Sequence, residues 1–282
     1  MRGFLLILLA LAAGFAGSYL APAKTADVAA KETAFERVSR DRVLRCGYMY
    51  RAGYFEKDQT SGQMKGLMHD ASMAIADAAG LKIEWSAEIG LGDSLEALRT
   101  GRVDAICGAF GENAKRAWGS IVAEPVGYVQ MRAYVRADDV RFDNNIAAMN
   151  DASVRFNVVD GESSQFVTKA EFPNATLVSV PQLVEHSELF VGIAQNKADA
   201  ILSDPAQAGP FMKNSPGKIR EVVARQPVRS FPFGVAVANT EHELANLIGA
   251  ATREVILSGK MEKVMQANET YPNTWGRNLL VR

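Results

Sequence analysis

Arg116 places an obligatory cation just beyond a short apolar run, and that is the first chemical fact of this sequence. The run, Val103 to Cys107 within VDAICGAFGENAKRAWGSIVAEP, is bounded by Gly101 and Gly108. It reads as a strand buried on both faces of a parallel sheet. Gly108, Ala109 and Gly111 follow, small residues at the C-terminal edge where such sheets let a small molecule approach the backbone. Asn113, three residues before Arg116, is a candidate N-cap for a helical turn. A guanidinium there is a permanent positive charge at an edge open to a ligand.

Two other stretches carry complementary chemistry. ADAILSD, Ala198 to Asp204, repeats the logic of a buried strand ending in a charge, and Pro205 cannot continue its ladder. Asp204 has two readings there, a helix cap or a carboxylate facing a ligand. The strand Val154 to Val159 is followed by Asp160, Gly161, Glu162, Ser163 and Ser164, a tight turn opening a helix. Helix N-termini attract anions, so Ser163 and Ser164 either cap the helix or contact a ligand.

The elements that position these residues alternate. Val43 to Gly47 reads as a strand, Asp58 to Gly62 as a turn, Asp70 to Ala79 as a helix, Leu81 to Trp85 as a strand and Ser94 to Thr100 as a helix. This order implies a right-handed, parallel, doubly wound unit. Tyr128 to Arg136 alternates as a crossover strand, and Phe231 to Val237 reads as the strand that returns. Between them lie the strands at 154–159, 176–180 and 198–203 and a helix over 182–195. Thr240 and Glu243 form a capping box for a helix to Leu257, and Met261 to Gln266 make a last short one.

Composition bounds the class. The 282 residues are 48% hydrophobic and 22% charged with a net charge of −1, ordinary globular material without a nucleic-acid footprint. Arg2 followed by the uncharged run Phe4 to Ala16 reads as an export signal, with cleavage after Ala16 or Ala23. Gly3 to Ala23 also reaches the length of about 20 residues that spans a bilayer, so an uncleaved membrane anchor is the alternative. Lys24 to Arg42 reads as a linker ending in a short helix. Export permits a disulfide, but Cys46 and Cys107 fall on directly adjacent parallel strands, which suit a bridge poorly, so buried free thiols are expected.

Several of these pieces resemble one family, the family 3 extracytoplasmic solute-binding proteins that serve as polar-amino-acid receptors of bacterial uptake systems. The family pattern runs from a leucine-rich helix through a Gly turn and a D-A strand to T-x-x-R and an F-S-x-P-Y-like segment. Here those are Leu95 to Leu98, Gly101, Asp104 to Ile106, Asn113 to Arg116 and Val122 to Val126. Asn113 stands for Thr and Val126 for the aromatic. Asp58 to Gly62 and GLMHDASMAIA, Gly66 to Ala76, match the opening pattern, with Met68 for Asp and Ala71 for Leu. FPFGVAV is similar to the Y-G-I-A-V of the return strand.

The resemblance, covering 43–266, implies a type II periplasmic-binding-protein-like α/β fold, two lobes each built on a doubly wound, mainly parallel sheet, joined by two crossovers. Residues 43–130 and 234–282 would form lobe 1 and 131–233 lobe 2. It implies that Arg116 binds a ligand carboxylate, Asp204 meets its amino group, and the Ser163-Ser164 turn holds the carboxylate from the other lobe. Tyr48, Tyr50 and Tyr54 fall where the family packs side chains on the ligand; each alone reads more readily as a loop aromatic half-buried against the first helix, but at least one of the three should face the cleft.

Three functional classes follow. The leading one is a monomeric periplasmic receptor for a small zwitterion, with an ABC-transporter permease as partner and neither cofactor nor metal. The second is a dehydratase of the cyclohexadienyl type on the same fold, with Glu162 as general acid or base, since none of the familiar nucleophile, zinc or phosphate motifs occurs. The third is a membrane-tethered sensing domain that retains residues 1–23.

Overall fold

The computed structural model of the chain describes residues 32–277, apart from 59, 161, 182–185, 270, 272 and 273, so the apolar N-terminal segment lies outside the described residues. Among the described residues no helix is long and apolar enough to cross a membrane. The unit that carries the sheet begins at Ala34 rather than near Val43. Its first helix, α1 (Ala34–Asp41), buries Val38. The Glu241 carboxylate caps it from a distance, accepting from the Ala34 amide at 2.9 Å and the Phe35 amide at 3.1 Å. That use of Glu241 accompanies the loss of the expected Thr240 to Glu243 capping box, whose helix starts without a side-chain cap.

Lobe 1 continues with β1 (Val43–Tyr48), the hairpin β2 (Glu56–Lys57) and β3 (Met64–Lys65), α2 (Leu67–Ala78), β4 (Lys82–Glu88), α3 (Ser94–Thr100) and β5 (Ala105–Gly111). Gly101 ends α3 in the left-handed conformation at φ 71°, where a side chain would be strained. β1 runs parallel to both β4 and β5, as the alternation of strands and helices implies. β6 (Ser120–Arg136) then leads into lobe 2: β7 (Arg155–Val159), α4 (Ser163–Glu171), β8 (Thr176–Val180), α5 (His186–Ala194), β9 (Ala200–Ser203), α6 (Pro205–Asn214) and β10 (Ile219–Glu221). The chain returns along β11 (Arg229–Ala238) and closes with α7 (His242–Leu257), α8 (Lys260–Asn268) and β12 (Trp275–Gly276). Helix α6 carries no apolar periodicity in PAQAGPFMKN and was not foreseen; Asp204 as N-cap and Pro205 in the first turn start it.

The sheet order is β4-β1-β5-β11-β6-β9-β7-β8, and the two crossovers join its halves. β6 pairs antiparallel with β11 from Ser120 to Met131 and with β9 from Arg132 to Val135, so one strand serves both lobes. At the irregularity in the pairing of the two crossovers, a Cβ on Gly234 would lie 2.7 Å from the Glu124 carbonyl oxygen. Gly234→Ala is therefore expected to cost about 1–3 kcal/mol, read by urea denaturation. An unchanged midpoint would mean that the crossovers part easily at this point.

One device is used twice. Asp104, just before β5, accepts from the backbone amide of Arg45 at 2.7 Å and from its guanidinium. Asp199, just before β9, accepts from the amide of Arg155 at 2.9 Å and from its guanidinium. Each aspartate pins the start of its strand to the first strand of the same lobe, and Asp104 also pairs with Arg37 of α1. Burial pushes the Asp199 carboxyl up, but Arg155 outweighs it and holds the group below the usual carboxylate range.

Cys46 and Cys107 form a disulfide, which overturns the expectation of free thiols. Cys46 lies opposite Ala105 in the parallel register of β1 and β5, so the bridge is not between directly facing residues but reaches diagonally to Cys107, two residues further along β5 and therefore on the same face. The two Cα atoms come within 5.5 Å, inside the range a disulfide bridges.

Candidate functional site

A cleft of about 580 Å³ opens between the lobes, within the range of small-molecule sites. Its walls come from the C-terminal ends of the parallel strands, where open α/β sheets bind ligands. Lobe 1 contributes Met49, Tyr50 and Arg51 after β1, Glu88 and Ile89 from the end of β4, and Gly111 as the last residue of β5 with Glu112, Asn113 and Arg116 after it, so the glycines read as lying beyond the strand are part of it. Lobe 2 contributes Glu162, Ser163, Ser164 and Phe166 after β7, and Ser203, Asp204 and Gln207 after β9. Val129, Met131 and Phe231 of the crossovers line it as well.

Arg116 is set by its own neighbourhood. The Asn113 side chain accepts from the amides of Lys115 at 3.0 Å and Arg116 at 3.1 Å, starting the short 3₁₀ turn Arg116–Trp118. The guanidinium folds back to donate to the Gly111 carbonyl at 2.7 Å, and lies 4.9 Å from the centre of the Phe110 ring. A side chain at Gly111 would sit against it, the Cβ being 3.7 Å from Nη1. Among the described residues Arg116 has no carboxylate partner within ion-pair distance. Burial, and then repulsion from Arg51, lower its affinity for its own proton, so it is a cation in want of an anion.

Asp204 is almost fully buried and has two partners. Its Oδ1 accepts from the Gln207 amide at 3.2 Å, the helix cap, and its Oδ2 pairs with Arg51 at 2.5 Å. The helix-cap reading of this residue thus holds, and its second oxygen is turned to Arg51 on the cleft wall. Arg51 was not foreseen: it sits among Tyr48, Tyr50 and Tyr54, where the aromatics drew attention. Its guanidinium also lies 4.8 Å from the Tyr54 ring centre. Burial pushes its pKa down, yet Asp204 outweighs that and keeps it firmly charged.

The three tyrosines separate. Tyr50 is exposed and lines the cleft. Tyr48 stacks on Phe55 with ring centres 5.0 Å apart and meets Trp85 edge-on, outside the cleft. Tyr54 is fully buried against Phe233 and Trp275, behind Arg51. Gly108 faces Met49, whose amide would be 3.3 Å from a Cβ there, so it lets β5 approach the loop after β1 without lining the cleft. Ala109 lies beside it in β5. Ser164 Oγ accepts from the Val159 amide at 3.3 Å, fastening the turn. α4 begins after Glu162 without a side-chain cap, with Ser163 and Ser164 in its first turn on the cleft wall. His69 pairs with Asp70 and stacks on Trp85; neither it nor His242 lines the cleft.

Comparison with known proteins agrees with this architecture. Residues 44–268 match the model of the bacterial extracellular solute-binding proteins, family 3. A chain of Neisseria gonorrhoeae named "Probable histidine-binding protein" is 23% identical over 241 residues, covering 83% of this chain and 85% of that one. An ancestral amino acid-binding protein, described as a precursor of cyclohexadienyl dehydratase, superposes with a TM-score of 0.67 at 21% identity, over 84% of this chain and 99% of that one. The L-cystine solute receptor of Neisseria gonorrhoeae, in an unliganded open conformation, gives 0.64 at 20% identity, over 89% and 100%. These likenesses place the chain among two-lobed periplasmic-binding-protein folds.

Proposed function

Because the chain belongs to the family 3 bacterial extracellular solute-binding proteins, we propose that it is a periplasmic receptor that closes around a small zwitterion, an amino acid, and delivers it to an ABC importer. The observation that carries this reading is Arg116, a half-buried guanidinium with no acidic partner among the described residues, on the wall opposite a buried aspartate and a helix N-terminus. The ligand carboxylate takes two parallel hydrogen bonds from Arg116 and a further contact at Ser163. Its ammonium group meets Asp204. Tyr50 and Met49 border the side chain, Met49 as an adaptable apolar surface. Since the two charges come from separate lobes, a molecule bearing both groups stabilises the closed state over the open one. Relatives with histidine and L-cystine in their names support an amino acid as ligand.

A thermal-shift screen of the chain from residue 32 onward against the amino acids tests this. Ligand at about 100 times Kd adds about 2.7 kcal/mol, and so raises the midpoint by several degrees. Stabilisation by one amino acid or a small group of them is the expected result. Stabilisation only by acids without an amino group would remove Asp204 from its role.

Glu162 supports a second reading. It lies on the cleft wall beside the helix N-terminus, where a carboxylate could move a proton on a bound acid, and a neighbour of this fold is described as a dehydratase precursor. Incubating the protein with prephenate and following loss of water and carbon dioxide separates the two, the receptor leaving it unchanged.

A further inference from the structure

We propose that Arg51 is a built-in competitor for the cation subsite at Asp204, so that an incoming amino acid must displace a guanidinium of the chain itself. The inference rests on the receptor reading above and adds a residue that sets affinity and selectivity.

The geometry is specific. Arg51 follows β1 in lobe 1 and Asp204 precedes α6 in lobe 2, and their side chains meet at 2.5 Å across the cleft. The Asp204 side chain is 2% exposed, so its charge is compensated by partners rather than by water. Oδ2 holds Arg51 and Oδ1 holds the Gln207 amide. An ammonium arriving here finds a carboxylate already neutralised, with a second cation beside it. The Tyr54 ring, fully buried behind Arg51, holds the guanidinium in this pose from the other side. A second contact spans the lobes nearby, Lys115 Nζ lying 5.2 Å from the Phe166 ring centre.

Two consequences follow. The ion pair draws the lobes together without a solute, so the closed arrangement is populated in the free protein and ligand binding exchanges one cation for another. A solute that supplies only a carboxylate for Arg116 leaves Arg51 in place, whereas one with a strong cation competes for Asp204. Affinity is thereby reduced by the fraction of protein in which Arg51 has released Asp204.

The test compares wild type, Arg51→Gln and Arg51→Lys, each checked for folding by its melting curve. L-histidine and L-glutamine are titrated calorimetrically, and the radius of gyration is measured by X-ray scattering without added amino acid. Arg51→Gln is expected to bind the amino acid that wild type binds about tenfold more tightly and to scatter as a more open particle, with Arg51→Lys close to wild type. Equal or weaker binding by Arg51→Gln, or an unchanged radius of gyration, would overturn the proposal. If none of the three binds either amino acid, the receptor reading fails for these probes, and the scattering comparison still decides whether Arg51 holds the lobes together.

Discussion

Arg116→Ala is expected to weaken amino acid binding by at least a hundredfold while leaving the melting temperature of the free protein nearly unchanged. Truncating one partner of a desolvated, hydrogen-bonded charge pair costs about 2–5 kcal/mol, roughly 30-fold to several thousandfold in Kd. The upper part of that range applies because the ligand carboxylate would lose its guanidinium while Glu112 stays on the same wall and Glu162 on the wall across the cleft. The free protein loses little. Arg116 gives up one bond to the Gly111 carbonyl and its contact with Phe110, and in return its repulsion from Arg51 disappears. Calorimetric titration and a melting curve on the same preparation check both halves. Wild-type affinity in the variant would remove Arg116 from the site, and a collapsed melting temperature would make it a structural residue.

Breaking the Cys46–Cys107 disulfide is expected to cost about 4 kcal/mol, because the bridge closes a loop with a sequence separation of 61. For a domain of this size that lowers the melting midpoint by roughly 10 °C. The bond also ties together the two strands whose ends carry the lobe 1 wall: β1 leads to Tyr50 and Arg51, and β5 leads to Gly111 and Arg116. Cys107→Ser and reduced wild type should melt alike, both about 10 °C below unreduced wild type. A loss below about 1 kcal/mol would mean that the buried strands hold their register without the bridge.

The sequence speaks most clearly where local chemistry and burial coincide. The apolar run Val103 to Cys107 announced a buried strand, although the strand itself is Ala105–Gly111, carried on through the glycines by pairing with β11 as far as Gly111, and Asn113 to Arg116 could be read as a capped turn because asparagine accepts from amides two and three residues on. The crossovers were visible through alternation in Tyr128 to Arg136 and through FPFGVAV, though both strands extend beyond those signals because pairing with each other orders their less patterned halves. Features that depend on a distant partner were hidden. Glu241 looked like the start of one helix and caps another; Cys46 and Cys107 looked ill-placed on adjacent strands, and only the register of β1 against β5, Cys46 opposite Ala105, sets them diagonally within reach. Arg51 is the clearest case. Nothing in YMYRAGY says which of its residues turns inward, and only the strand end across the cleft at Asp204 gives the arginine its meaning.

The most direct measurement is a calorimetric titration of the amino acid that most stabilises the protein, set against the same molecule without its amino group. The deaminated acid is expected to bind at least a hundredfold more weakly, because it leaves Asp204 to Arg51 and engages Arg116 alone. Equal affinity for the two would contradict the zwitterion site and make the cleft a receptor for simple carboxylates.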